Sequence, residues 1–165
     1  MIIIVTGVMG AGKTTVGSAL AARLGWLFLD ADDFHSAENW AKLSRGEPLA
    51  DADRWPWLAR LRDEIRALLE RGESAVLACS ALRQAYRDAL VPPHAEPGDV
   101  RFIYLHADAN LTAERIAARH SHRASVTLLD SQYAVLEEPR DALRLDTSTP
   151  VPQLVQAALD AWHLA

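Results

Sequence analysis

Gly7-Val-Met-Gly-Ala-Gly-Lys-Thr14 fits the Walker A pattern G-x-x-x-x-G-K-[ST] and stands between a β-branched run and an amphipathic one. Gly7, Gly10 and Gly12 let backbone N–H groups turn inward, and with Ala11 and Thr15 they form a cradle for the phosphates of ATP. Lys13 would reach the β and γ phosphates, and Thr14 would offer its hydroxyl to Mg²⁺. GTPases and motor ATPases usually place a second acid at the end of a hydrophobic strand. Here the candidate strands end Ala78-Cys79-Ser80 and Leu105-His106, and the acids stand instead at Asp30-Ala-Asp32-Asp33. A carboxylate at Asp32 would face the transferred phosphate, where it can orient Mg²⁺ or accept a proton from an acceptor hydroxyl. That layout belongs to small-metabolite kinases. A solvated acidic turn is the plain alternative for Asp32, and Asp33 also suits a helix cap.

The cations have fewer readings. Arg54 and Arg83 follow breaks in the chain and suit an anionic acceptor, with an ion pair to Asp51 or Asp53 as the plain alternative for Arg54. His35 is read either as part of the site or as a satisfied histidine at a helix start. Arg115 and Arg119 stand four apart on one predicted helix face, so both can approach the phosphates or simply face solvent. Trp55 and Trp57, on either side of Pro56, read as packing residues, and Cys79 as a small buried one.

Periodicity supplies the elements that must position these groups. Strands are predicted over 2–6, 26–29, 74–79, 100–105 and 143–146, and helices from 13, then over 57–70, 82–90, 110–119 and 127–136. Polar helical turns run to about residue 45, Pro48 and Pro56 mark an irregular crossing, and Gly72 closes the helix before it. Thr149 is predicted to cap a last helix with Pro150 at its first position. Strand–helix alternation predicts an α/β three-layer sandwich, a five-stranded parallel sheet with helices on both faces. Ligands then bind beyond the carboxyl ends of the strands, after Val5, Leu29, Cys79 and Leu105.

The 165 residues suffice for one domain, and the balance of 50% hydrophobic and 24% charged residues is that of a folded globular chain. A net charge of −5 argues against a general nucleic-acid binder. No apolar run approaches the about 20 residues of a membrane span, and the single cysteine agrees with a reducing compartment, so the expected location is cytoplasmic, with no membrane partner.

The stretch Asp30-Ala-Asp-Asp-Phe-His35, Asn39, Lys42, Gly46-Glu-Pro-Leu49, Asp51-Ala-Asp-Arg54 and Pro56-Trp57-Leu58 resembles the signature of bacterial-type gluconate kinases. Cys79-Ser-Ala-Leu-Arg-Gln-Ala-Tyr-Arg-Asp88 is similar to that family's second block, and Leu128-Leu-Asp-Ser-Gln132 with Leu136, Glu137 and Pro139 to its third. The resemblance covers nearly the whole chain. It implies a single P-loop kinase domain over 1–165, with a substrate segment at about 32–58 and a mobile lid at about 119–127. It implies ATP-dependent phosphorylation of the gluconate 6-hydroxyl with Mg²⁺, in a homodimer. Lys13, Asp32 and Arg119 would be catalytic, and Asp32, His35, Arg54, Ser80 and Arg83 would hold gluconate. Thr14 and Asp32 would hold the metal; Gly7, Gly10, Ala11, Gly12, Lys13, Thr14, Thr15, Arg115 and Arg119 would hold the nucleotide. By the same analogy the adenine would meet the lid arginine and the loop 147–150. The chain departs from the family after that arginine, where Ser121-His-Arg-Ala124 replaces Gly-His-Phe-Met. A kinase for another hydroxy acid such as shikimate, or a nucleotide-binding regulatory module, are the competing readings.

Overall fold

A strand covered on both faces has no solvent side to alternate toward, which is why Ile2–Thr6 (β1) is apolar without interruption and buried at every residue. In the computed structural model, which describes residues 1–118 and 126–164, β1 is the central strand of a five-stranded parallel sheet. The others are β2 (Leu27–Asp30), β3 (Ala75–Ala78), β4 (Val100–His106) and β5 (Leu143–Asp146), in the order β2-β3-β1-β4-β5. The register sets Val5 beside Ala78 and Ile103, and Asp30 beside Ala78. The carboxyl ends of β1, β2 and β3 therefore lie level along one edge, where the candidate residues cluster.

The helices are α1 (Lys13–Leu24), α2 (Ala37–Ser44), α3 (Asp51–Glu70), α4 (Gln84–Leu90), α5 (Ala109–Ala118), α6 (Val126–Val135) and α7 (Val151–Trp162). Successive β1 side chains point to opposite faces and seed two cores. Ile3 and Val5 pack with Val16 and Leu20 of α1 and Leu154 and Leu159 of α7. Ile2 and Ile4 pack with Leu58, Leu61, Ile65 and Leu68 of α3 and with Leu90 of α4. The three layers expected from the sequence are present. Among the described residues, no helix is long and apolar enough to cross a membrane.

Most boundaries fall within one or two residues of the sequence reading, and two of the differences have a clear cause. α3 begins at Asp51 and not at 57, because Asp53 turns back to accept the Ala50 N–H at 2.9 Å and closes the first turn. Pro56 then lies inside the helix, where its missing N–H leaves the Ala52 carbonyl to solvent; Ala52 is exposed. α7 begins one residue late, with Pro150 at the cap and Pro152 at the second position, and Thr149 is spent on a turn back to the Asp146 carbonyl at 3.1 Å. Gly72 ends α3 as expected, with φ +68 and its N–H on the Leu69 carbonyl at 3.0 Å.

Candidate active site

Two of the P-loop glycines are required by close approach. A Cβ on Gly7 (φ +149) would sit 2.9 Å from the Leu105 carbonyl, and one on Gly10 (φ +76) would meet Ile116 Cγ1 at 3.0 Å. Gly12, at φ +99, caps α1 without any side-chain acceptor, so the first amides of the helix stay open to an anion. Lys13 folds back over the loop and donates to the Val8 carbonyl at 3.0 Å.

A cavity opens on each side of this loop. The smaller, about 380 Å³, is lined by Gly10, Gly12, Thr15, Arg115, Thr147 and Leu154, among others. Arg115 reaches across it from α5 to donate to the Thr147 carbonyl at 2.6 Å. The larger, about 480 Å³, is lined by Lys13, Thr14, Asp32, Arg54, Ser80 and Arg83 and also by His35. The expected nucleotide residues Ala11 and Thr15 thus face one chamber and the expected acceptor residues face the other.

The acidic corner is built by Asp30 as well as Asp32. Asp30 Oδ1 accepts the Asp32 N–H at 3.1 Å and so caps a 3₁₀ turn over Ala31–Phe34, while its Oδ2 accepts the Thr14 hydroxyl at 3.1 Å. Trp57, buried in α3, fixes the same turn by donating Nε1 to the Ala31 carbonyl at 2.7 Å. Asp32 then projects into the larger cleft. Protein crowding around the cleft and the neighbouring Asp30 raise its pKa, against the lowering effect of His35 and Lys13. Its own side chain remains 70% exposed, so water moderates the rise.

His35 is 5% exposed at its side chain, stacked on Trp57 at 4.5 Å with the rings 18° apart. Burial lowers its pKa and favours the neutral ring. Asn39 Nδ2 lies 3.4 Å from Nδ1 and can only donate, which leaves the ring proton on Nε2, 3.7 Å from Asp32 Oδ1. His35 is therefore a packed histidine whose polar edge faces the cleft carboxylate.

Among the described residues Arg54 makes no ion pair with an acid. Asp53 is taken by Lys42 at 2.7 and 2.8 Å, and Asp51 accepts from Arg83 at 3.3 Å and from the Tyr86 hydroxyl. Arg54 donates Nε to the Leu49 carbonyl at 3.1 Å and rests its guanidinium 5.4 Å from the centre of the Tyr86 ring, which also bears Arg83 at 5.7 Å. An aromatic ring supports both cations without neutralising either.

The turn from β3 into α4 is held from below. The Thr6 hydroxyl donates to the Ser80 carbonyl, and Ala81 adopts φ +33, a left-handed conformation that costs a non-glycine residue. Arg87, 3% exposed, donates to the carbonyls of Ala81 at 2.9 Å, Leu82 at 3.2 Å and Glu137 at 2.7 Å. Glu137 returns the contact, its N–H on the Leu82 carbonyl at 2.9 Å and its Oε2 accepting the Gln84 N–H at 2.6 Å. Arg87→Met would remove the donors to the Ala81 and Glu137 carbonyls, leaving Leu82 its bond from the Glu137 N–H, and the expected loss of about 3 kcal/mol or more in unfolding free energy is read from urea denaturation. An unchanged midpoint would mean that water replaces the guanidinium.

The cleft gathers Lys13, Thr14, Asp32, His35, Arg54, Ser80 and Arg83, as the sequence led us to expect, with Arg115 in the adjoining chamber. Arg119 and the segment Ser121-His-Arg-Ala124 lie outside the described residues. Tyr86 and Arg87 had no role assigned from the sequence, Asp30 was named only within its acidic run and Asp51 only as a possible partner of Arg54. Asp30 had a signal, since it is the acid that ends a strand; the others are visible only once α3 and α4 are packed together. Cys79 is buried with its thiol pushed up to about 12 by burial, the inert residue expected.

Known proteins are similar to this chain in sequence and fold. The family described as AAA domain matches residues 2–139. A probable gluconokinase of Xenopus tropicalis is 44% identical over 151 residues, covering 84% of this chain and 80% of its own. The gluconokinase of Gluconobacter oxydans (strain 621H) is 42% identical over 139 residues, covering 84% and 76%. The crystal structure of a gluconokinase from Sinorhizobium meliloti 1021 superposes with a TM-score of 0.86 at 38% identity, covering 98% of this chain and 92% of that one.

Proposed function

The chain belongs to the gluconokinase family, and from that premise we propose that it transfers the γ-phosphoryl group of ATP to the 6-hydroxyl of D-gluconate at the cleft between Lys13 and Arg54. The observation that carries the reading is one cleft with phosphate-binding groups at one end and two ring-supported arginines at the other. A small polyol with one terminal carboxylate matches both ends at once.

In this mechanism the amides of the P-loop and the amino terminus of α1 hold the β and γ phosphates, and Lys13 leaves the Val8 carbonyl to neutralise charge that spreads over the phosphoryl oxygens. Arg54 and Arg83 bind the gluconate carboxylate, which points the 6-hydroxyl toward the γ-phosphorus. The hydroxyl oxygen forms the new P–O bond, the bond to the β,γ-bridging oxygen breaks, and the proton passes to Asp32. Products are ADP and 6-phosphogluconate. The His35 Nε2–H facing Asp32 stabilises the carboxylate before transfer.

The oxygen donors Thr14 Oγ1 and Asp30 Oδ2, already in contact, with Asp32 beside them, fit Mg²⁺. When bound there, Mg²⁺ supplies charge neutralisation at the phosphates. Our reading adds Asp30 to Thr14 and Asp32 as its holders.

The reading extends to one P-loop kinase domain with its acceptor segment at about 32–58, a lid at about 119–127 carrying Arg119, a cytoplasmic location and a homodimer. Light scattering on the purified chain distinguishes one subunit from two. For the activity, a panel of aldonates, shikimate and other hydroxy acids is run with coupled detection of ADP. Gluconate is expected to give the highest kcat/KM. Preference for another acid would sink the acceptor assignment, and slow ADP release independent of any acceptor would point to the regulatory module.

A further inference from the structure

Gln132 has no part in the steps above, although it stands at the seam of the two chambers. α6 presents Leu128, Ser131, Gln132 and Val135 to the larger cleft, a spacing that places them on one helix face. From that face Gln132 Oε1 accepts the backbone N–H of Met9, in the P-loop, at 2.7 Å. An amide N–H can only donate, so the atom toward Met9 is the oxygen and the Gln132 Nε2 points elsewhere. Nε2 makes no hydrogen bond among the described residues and is not one of their buried orphan atoms. Two N–H donors therefore remain open on a side chain that lines the cleft.

Position decides what they would meet. Met9 lines the larger chamber and Gly10, the next residue, the smaller one, so Gln132 approaches the P-loop from the acceptor side. The mutual contacts of Glu137 and Arg87 fix the chain just after α6, and the Met9 bond fixes the side chain itself. The donor is held in place before any ligand arrives, which lowers the entropic cost of binding.

We infer that Gln132 is an acceptor-binding residue whose Nε2 donates to a hydroxyl oxygen of the polyol chain, while its Oε1 is anchored on the Met9 amide. This rests on the gluconokinase reading and deepens it: the arginines select the carboxylate, and Gln132 selects the hydroxylated chain near the reacting end. A site built to pair a hydroxyl discriminates strongly against an analogue that lacks it.

The test uses Q132M, which lacks donor and acceptor, and Q132E, which keeps an acceptor for Met9 and loses the donors. Both are expected to raise the gluconate KM by about tenfold, with the Kd of a fluorescent ADP analogue within about twofold of wild type, a measurement that also verifies folding. Wild-type gluconate kinetics in Q132E would overturn the proposal by reducing Gln132 to a P-loop prop. A fall in kcat at unchanged gluconate KM in both variants would also overturn it, by assigning the side chain to the phosphoryl group. Wild-type turnover of gluconate tests the activity reading separately; should another acceptor emerge from the panel, the same comparison is made with that acceptor.

Discussion

Asp32→Asn is expected to lower kcat by about a hundred- to ten-thousandfold, the usual loss when a positioned proton acceptor is removed. Asparagine keeps the shape and can still accept a hydrogen bond, so the change isolates basicity. The turn that carries it survives, because its cap is Asp30 and its second tether is Trp57, neither of which the substitution touches. Nucleotide affinity should stay within about threefold of wild type, since Lys13, Thr14 and Asp30 are unaltered. Single-turnover kinetics with isothermal titration of an ATP analogue separates the two quantities. A variant with wild-type kcat would remove Asp32 from the chemistry, and one that loses nucleotide binding would assign it to the metal alone.

Arg54→Met should raise the gluconate KM by about ten- to a hundredfold, the equivalent of one to two charge-assisted hydrogen bonds, and leave the ATP KM unchanged. The same change at Arg83 should cost less. Arg83 is already shared with Asp51, whereas among the described residues Arg54 meets a carbonyl and an aromatic face, so more of its charge is available to a substrate. Arg54→Lys should recover only part of the loss, because an ammonium cannot span two carboxylate oxygens. Initial-rate measurements over a range of gluconate concentrations check all three. Equal effects at the two arginines would show that the Asp51 contact opens when substrate binds.

The P-loop, the succession of strands and helices along the chain and the acidic end of β2 were legible because each has a local signature. Glycine spacing, β-branched runs and helical periodicity act over a few residues, and tertiary packing did not override them here. What could not be read is non-local. Asp53 was one alternative partner for Arg54 and pairs with Lys42, because the Asp53–Ala50 cap started α3 early and turned that carboxylate toward α2. Asp30 was quoted within its motif while the metal was assigned to Asp32; only the parallel register of β2 beside β3, with β1 one strand further, shows that the first acid reaches Thr14. Arg87 looks like any surface arginine in a short helix, and its burial depends on Glu137, fifty residues away.

The P-loop is a party wall, with a chamber of about 380 Å³ on one side and one of about 480 Å³ on the other. A single molecule carrying an adenosine and an aldonate, joined by a phosphate chain laid over Lys13, would occupy both. Its second contact would form at the high effective concentration that a short tether imposes, so the gain in affinity comes from geometry and not from added contact area. Linker length then becomes a ruler: the length that binds tightest reports the path along which the phosphoryl group travels.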